Sequence, residues 1–195
     1  MFQQISLPAL PEDLTNRLID HANASFYDEG IQQLWRTTRA YPFTEDTIKK
    51  FNIVERVSYN IETYLDELKE IIQPHLPIEA IWALFVMKNN DLGRKAIFPA
   101  HTDRKRGVAL SYVLQTGGTH TQVHFHTDAP VIQNTFFNEI ESPIVQTFDT
   151  HAGAWYALSA TDVHSVTGIE DTRILFTLSP VDQTLSFTEF VSMMK

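Results

Sequence analysis

The chain has 195 residues, no cysteine and a formal net charge of −9 at pH 7. Its length suits one domain with a sizeable core, and its content of 43% hydrophobic and 20% charged residues is typical of a globular protein. The absence of cysteine excludes disulfides and thiolate metal sites, and the acidic charge opposes general binding to nucleic-acid backbones.

The beginning of the sequence lacks a basic region followed by an apolar run. No segment approaches the roughly 18 apolar residues that a membrane span requires. We therefore expect a cytoplasmic protein with no membrane partner.

Residues 1–77 are expected to be mainly helical and to support the rest of the domain. The clearest helix is predicted over about residues 60–73, where apolar residues at helical spacing lie between acidic ones. Its acidic face should be exposed and its apolar stripe should cover a sheet. Pro74 and Pro77 end this part of the chain.

From residue 78 to residue 180 the sequence changes to short apolar runs separated by turn residues, a pattern typical of a β-sandwich or barrel. The candidate strands are residues 80–87, 96–100, 106–115, 119–126, 143–149, 154–158, 163–167 and 173–179. A hairpin turn is predicted at residues 116–118. Residues 181–195 should form a tail or a closing helix. Since no repeat or linker occurs, we expect residues 1–195 to form a single domain.

The first chemically distinctive pattern is His101-Thr102-Asp103. On extended backbone, residues two apart point to the same side, so the imidazole and the carboxylate converge. The tripeptide alone is a weak signal because it arises often by chance. A second element is His164, which begins a predicted strand. Two histidines and one carboxylate form the facial arrangement used for non-haem Fe(II), with three positions open for a bidentate 2-oxo acid and dioxygen.

Arg173 lies nine positions after His164, a spacing that suits a hairpin partner strand. Strand alternation separates an inward face from an apolar face, with Arg173, Leu175, Thr177 and Ser179 on the first and Ile174, Phe176 and Leu178 on the second. An inward guanidinium needs an anion, and it matches a carboxylate bidentately. That anion is either the C5 carboxylate of 2-oxoglutarate or, in the alternative, the side chain of Glu170 or Asp171.

Together these residues resemble the 2-oxoglutarate- and Fe(II)-dependent oxygenase superfamily, in particular its aspartyl/asparaginyl β-hydroxylase-like and prolyl 4-hydroxylase-like branches. The resemblance covers about residues 78–180 and is carried by His101, Asp103, His164 and Arg173. It implies a mainly β fold with N-terminal helices, namely a double-stranded β-helix (a cupin-like jelly roll) with helices packed on the larger sheet.

The resemblance also implies an activity. Fe(II) would be held by His101, Asp103 and His164, and Arg173 would bind the cosubstrate 2-oxoglutarate. The expected reaction uses dioxygen to hydroxylate a peptidyl side chain or a small molecule and releases succinate and CO2.

The sequence departs from many members of this superfamily at Leu175, where a serine often helps the arginine to hold the cosubstrate. The predicted strand at 106–115 alternates small and bulky residues, and the small ones should line the cavity. Ser111 is therefore a candidate for the missing polar contact. A small face packed against another strand explains Ser111 equally well.

A second His-Thr-Asp tripeptide occurs at residues 126–128, and His120 and His124 share the strand face of His126. Too few strands separate this tripeptide from His164 for the expected jelly roll. We therefore favour an exposed or hydrogen-bonded polar strand face over an inward role in substrate binding. Similarly, the basic run at residues 104–106 indicates a solvated face, and the alternative is attraction of an acidic substrate.

Two other classes of function are open at this point. One is a cupin-type metalloenzyme that does not use 2-oxoglutarate, against which Arg173 argues. The other is a non-catalytic barrel that binds a small anion or a protein partner, which a failure to bind Fe(II) would favour.

Overall fold

The computed structural model describes residues 1–26, 33–36, 43–103, 106–127, 136–137 and 143–194. Within these residues the protein is mostly β, with four α-helices. The helices are α1 (Glu12–Ser25), α2 (Glu45–Phe51), α3 (Leu65–Ile72) and α4 (Phe187–Met193). The strands are β1 (Phe2–Ile5), β2 (Gln33–Arg36), β3 (Glu55–Asn60), β4 (Ala80–Lys88), β5 (Ala96–His101), β6 (Val108–Thr116), β7 (Gln122–His126), β8 (Phe136–Phe137), β9 (Ile144–Asp149), β10 (Trp155–Ser159), β11 (His164–Ile169) and β12 (Thr172–Pro180).

The strands form two antiparallel sheets. The larger sheet has the order β1-β10-β6-β12-β4-β3-β2, and the smaller sheet has the order β8-β5-β11-β7-β9. Between β4 and β12 six of the eight connections change sheet, and no two strands that are consecutive in sequence are neighbours in a sheet. This topology brings distant residues into one interior.

The eight predicted strands correspond to β4–β7 and β9–β12, with shifts of up to three residues at their ends, and the closing helix corresponds to α4. The expectation that residues 1–77 are mainly helical is wrong in one respect, because β1, β2 and β3 also lie there and extend the larger sheet at its two edges. The predicted helix over residues 60–73 is shorter than expected, since 3-10 turns precede and follow α3. No helix in the described ranges is long and apolar enough to cross a membrane.

The two faces of the larger sheet belong to two different hydrophobic clusters. The cluster that includes the helices combines one face of β12 with buried residues of α1 and α3, namely Ile174, Phe176, Leu178, Leu14, Leu18, Leu68 and Ile72. The cluster between the sheets contains residues of both sheets, including Met87, Val113, Leu175, Phe98, Phe125 and Val166. The predicted alternation along β12 is thus confirmed, and Arg173 has the parity of the face between the sheets.

Two predicted hairpins are wrong. The turn after β6 leads to β7, which lies in the other sheet, and β11 and β12 also lie in different sheets. Gly117 and Gly118 adopt φ values of 86° and 135°, a left-handed conformation that turns the chain from one sheet to the other. The crossing from β11 to β12 consequently puts His164 and Arg173 on separate sheets that share one interior, rather than on neighbouring strands.

Candidate metal centre

His101, Asp103 and His164 form a compact cluster of possible metal ligands. His101 ends β5 and His164 begins β11, and the two residues are register partners in the smaller sheet. Their imidazole centroids are 4.3 Å apart, and His101 Nε2 lies 3.6 Å from Asp103 Oδ1. The three ligand atoms all lie within 4.8 Å of one another. Within the described ranges no other group of three such residues comes this close.

Main-chain carbonyl groups orient both imidazoles. His101 Nδ1 lies 2.8 Å from the carbonyl oxygen of Pro99, and His164 Nδ1 lies 2.9 Å from that of Asp162. Because a carbonyl oxygen only accepts hydrogen bonds, each Nδ1 carries a hydrogen, and Nε2 is the ring nitrogen left for a metal ion. Burial, together with the nearby His101, lowers the pKa of His164 to about 4. His164 is therefore neutral at pH 7, as a metal ligand must be.

Arg106 holds the carboxylate of Asp103. Its Nε and Nη2 donate to Asp103 Oδ2 at 3.0 and 2.6 Å, and its Nη1 donates to Ser179 Oγ on β12 at 2.6 Å. Burial alone would raise the pKa of Asp103, but the charge of Arg106 and the proximity of His101 outweigh burial and hold that pKa well below its usual range. Asp103 is therefore an anion at all physiological pH values.

The role of Arg106 was not predicted, because a basic run by itself indicates a solvated face. Two members of that run, Arg104 and Lys105, lie outside the described residues. Arg106 lines a cavity of about 540 Å³ together with Asp103. The remaining lining residues are Met1, Gly107, Ser159, Thr161, Asp162, Gln183, Thr184, Ser186, Phe187 and Thr188.

Arg173 is a buried arginine that pairs with no carboxylate of the described residues. Its side chain is 2% exposed, and its Nη1 donates to the carbonyl oxygen of Thr116 and to Thr150 Oγ1, both at 3.0 Å. Its buried Nε has no hydrogen-bond partner. Burial lowers the pKa of Arg173 to about 10, while Tyr156 acts in the opposite direction. Arg173 is therefore a charged, incompletely satisfied donor in the interior.

The alternative partners expected for Arg173 are engaged elsewhere. Glu170 accepts from His120 Nδ1 at 2.8 Å and lies 3.5 Å from Lys95 Nζ. Asp171 Oδ1 accepts from the hydroxyl of Thr172. Neither carboxylate forms an ion pair with Arg173, so the interpretation of this arginine as half of a turn ion pair is wrong.

Ser111 lies on the face of β6 between the sheets, where its register partners are Tyr156 and Thr177. Thr177 is four residues from Arg173 on β12, or about 13 Å along the strand. The polar side chain in contact with Arg173 is instead that of Thr150. Tyr156 Oη accepts from the backbone N–H of His151 at 3.0 Å, next to Thr150. Neither residue was predicted, because nothing local in the sequence relates it to Arg173.

The second His-Thr-Asp tripeptide begins on the opposite face of the smaller sheet. Val123 and Phe125 belong to the cluster between the sheets, so His124 and His126 point away from it. His124 Nε2 lies 2.7 Å from Thr167 Oγ1, and His126 Nε2 lies 2.9 Å from Ser165 Oγ. The favoured interpretation as a hydrogen-bonded polar strand face agrees with this placement. Asp128 lies outside the described residues.

Comparison with known proteins yields relatives by structure only. No protein-family model matches the sequence, and no curated protein matches it either. A prolyl hydroxylase from Trichoplax adhaerens, solved with a fragment of the hypoxia inducible factor oxygen degradation domain, is 13% identical with a TM-score of 0.55, over 93% of this chain and 83% of that chain. AviO1 from Streptomyces viridochromogenes Tue57 is 18% identical with a TM-score of 0.53, over 95% and 92% of the two chains. The non-haem, α-ketoglutarate-dependent epimerase SnoN from nogalamycin biosynthesis is 14% identical with a TM-score of 0.50, over 91% and 77%.

The chain has the fold of the 2-oxoglutarate- and Fe(II)-dependent oxygenases. The predicted resemblance is thereby confirmed at the level of the fold, which in these neighbours is a jelly roll.

Two observations fit the groups that a 2-oxoglutarate- and Fe(II)-dependent oxygenase uses. Two imidazoles and one carboxylate are the donor set of the facial non-haem iron site. The unpartnered Nε of Arg173 is a buried donor that an anion would satisfy. The residues present in the interior therefore suit both a divalent cation and a carboxylate.

Proposed function

We propose that the protein is an Fe(II)- and 2-oxoglutarate-dependent dioxygenase that hydroxylates a peptidyl side chain or a small molecule. The observation that carries this proposal is the pairing of two complementary groups across one interior. The smaller sheet and the loop after β5 supply the cluster of His101, Asp103 and His164, and the larger sheet supplies a buried arginine without a carboxylate. A cosubstrate that chelates a cation at one end and carries an anion at the other matches this pairing.

In this proposal His101, Asp103 and His164 hold Fe(II) through one face. The carbonyl contacts of the two Nδ1 atoms fix both rings with Nε2 available, and Arg106 keeps Asp103 ionised. With 2-oxoglutarate and dioxygen bound, the iron supplies oxidative decarboxylation to succinate and CO2 and the hydroxylation of a substrate C–H bond.

Arg173 binds the C5 carboxylate of 2-oxoglutarate. Its bonds to Thr116 and Thr150 hold the guanidinium in place before the cosubstrate arrives, which lowers the entropic cost of binding. Leu175 and Val113, which lie on the same face of the larger sheet, keep water from this end of the site. In such surroundings a charge-assisted bond is stronger than at the surface.

The hydroxyl groups of Thr150 and Tyr156 are candidates for the second polar partner of that carboxylate. Thr150 already contacts Arg173, and Tyr156 interacts with its charge. Ser111 stays a candidate contact nearer the middle of the interior, beside Thr177.

Arg173 also favours this function over the two alternatives. A metalloenzyme without a 2-oxo acid would leave a buried cation unpaired, which is costly. A barrel that only binds an anion has no use for two imidazoles that are both fixed through Nδ1. As for the substrate, the fold serves both kinds: the Trichoplax neighbour holds a peptide fragment, and SnoN belongs to the biosynthesis of nogalamycin.

The test is an anaerobic titration of the protein with Fe(II) followed by 2-oxoglutarate. We expect one iron per chain and a weak visible charge-transfer band that appears only when both are present. Succinate release in air, measured against a panel of peptides and small metabolites, then identifies the substrate. A protein that binds no iron and shows no band would refute the proposal.

A further inference from the structure

We propose that Arg106 is a positioning residue that restricts Asp103 to a single metal bond and so keeps a third coordination position open for the cosubstrate and dioxygen. This inference rests on the metal site proposed above. It adds a reason why the protein ligands leave three coordination positions of the metal free.

The two oxygens of Asp103 have different surroundings. Oδ2 accepts two N–H bonds from the guanidinium of Arg106, at 3.0 and 2.6 Å. Oδ1 is the oxygen that lies 3.6 Å from His101 Nε2. A carboxylate oxygen that already accepts two charged N–H bonds has little remaining capacity for a cation, which leaves Oδ1 as the metal-binding atom.

The guanidinium of Arg106 is itself fixed from the larger sheet. Its third donor, Nη1, reaches Ser179 Oγ at 2.6 Å. The backbone around Asp103 is held as well, since its N–H donates to the carbonyl oxygen of Ala160 and the N–H of Ala160 donates to that of Gly107. Each partner of the pair is thus held by at least one contact outside the pair.

The number of coordination positions explains why binding through one oxygen of Asp103 is important. An octahedral ion has six positions, and the two imidazoles with a carboxylate bound through one oxygen fill three of them. Binding through both oxygens would fill four and leave two. A bidentate 2-oxo acid and dioxygen together need three positions. Without the bond from Arg106 to Oδ2, the carboxylate would compete with the cosubstrate or dioxygen for the last position.

Arginine suits this task better than lysine. Its planar fork presents several donors at fixed angles, whereas an ammonium group is a single mobile point charge. The chain also offers a matched control, because Arg94 pairs with Asp91 at the same three-residue spacing, with Nε 2.8 Å from Oδ2. That pair is about half exposed and lies outside the metal cluster.

The test uses Mn2+ as the probe in the full-length protein. The number of water ligands on bound Mn2+ is measured from the broadening of its electron paramagnetic resonance lines in 17O-enriched water. We expect three waters for the unmodified protein and for Arg94→Gln, but two for Arg106→Gln. We also expect the affinity of the Mn2+-loaded Arg106→Gln protein for 2-oxoglutarate to fall about 10- to 100-fold.

Three waters on folded Arg106→Gln would overturn the inference and leave the metal site intact. A protein that binds no Mn2+ would instead refute the metal site, and the inference with it. If Arg106→Gln does not fold, Ser179→Ala replaces it, because it releases only the Nη1 end of the guanidinium. We expect Ser179→Ala to lower 2-oxoglutarate affinity about 2- to 10-fold with unchanged Mn2+ affinity, and unchanged 2-oxoglutarate affinity would overturn the inference.

Discussion

His164 and Arg173 are nine positions apart in the chain, yet they lie on two different sheets that share one interior. His164 shares its strand parity with Val166, and Arg173 shares its parity with Leu175, both of which lie in the cluster between the sheets. The short connection from β11 to β12 therefore places a candidate metal ligand and an unpaired cation on opposite walls of the candidate site. The first prediction concerns this relationship.

Arg173→Gln should weaken the binding of 2-oxoglutarate by about 2–5 kcal/mol, because it removes one partner of a desolvated charge pair. Metal affinity should change little, since no ligand is lost. Titration of the Mn2+-loaded protein with 2-oxoglutarate by calorimetry measures both effects, and Arg94→Gln is the control for loss of an arginine at the surface. Unchanged cosubstrate affinity would exclude Arg173 from the site.

The iron content of two variants distinguishes which His-Thr-Asp tripeptide contributes metal ligands. His101→Ala should abolish Fe(II) binding, because two remaining ligands cannot define a facial site. His126→Ala should keep its iron, since this side chain bonds to Ser165 on the other face of the smaller sheet. Each variant must first be shown to be folded by circular dichroism and thermal melting. Iron lost from folded His126→Ala and kept by folded His101→Ala would reverse the assignment.

Tyr156→Phe should lower the affinity for 2-oxoglutarate by about 0.5–1.5 kcal/mol, the usual value of one hydrogen bond. The matched control is Tyr112→Phe. The hydroxyl of Tyr112 accepts from the backbone of Leu10 at 3.3 Å in the cluster that includes the helices. That variant should lose stability without losing cosubstrate affinity. Equal losses of affinity in the two variants would show that the hydroxyl of Tyr156 has no specific role.

The metal-free protein should lose stability as the pH falls from about 6.5 toward 4. The pKa of His164 is lowered to about 4 in the folded state, below its ordinary value of 6.5, so the unfolded chain binds more protons in this window. Free energy of unfolding consequently rises with pH there, by up to about 3 kcal/mol from this residue. Urea denaturation at pH 7.5 and pH 4.5 measures the slope.

A substitution of the same residue tests the source of that slope. His164→Gln should reduce the pH dependence of unfolding in this window. A slope that His164→Gln leaves unchanged would mean that other groups cause it.

Local patterns were sufficient to predict eight of the nine strands from β4 to β12, all except β8, and to bring His101 and Asp103 together. Alternation along β12 and the i, i+2 geometry of His101 and Asp103 depend only on neighbouring residues. Local patterns do not show which sheet a strand joins. The turn at Gly117 was therefore predicted as a hairpin, although it connects strands of two sheets. For the same reason β1, β2 and β3 were missed, since each of these short strands is defined by a partner strand that the local sequence does not reveal.

The contacts around the charged groups were beyond prediction for a related reason. Arg106 bonds to Ser179, which lies 73 positions away, and Arg173 bonds to Thr150, which lies 23 positions away. A basic run gives no indication of which member turns inward. Such pairings depend on the packing of the two sheets, which the linear sequence does not display.

The division of the site between two sheets has a mechanical consequence. A molecule that chelates a metal on the smaller sheet and pairs with Arg173 on the larger one would act as a strut across the interior of the sandwich. Its binding would tie together two walls that otherwise meet there mainly through side-chain packing. Under the proposed function, binding of the cosubstrate would therefore stabilise both sheets at the same time. Backbone amides of β5, β11 and β12 should then become protected from hydrogen exchange together rather than strand by strand.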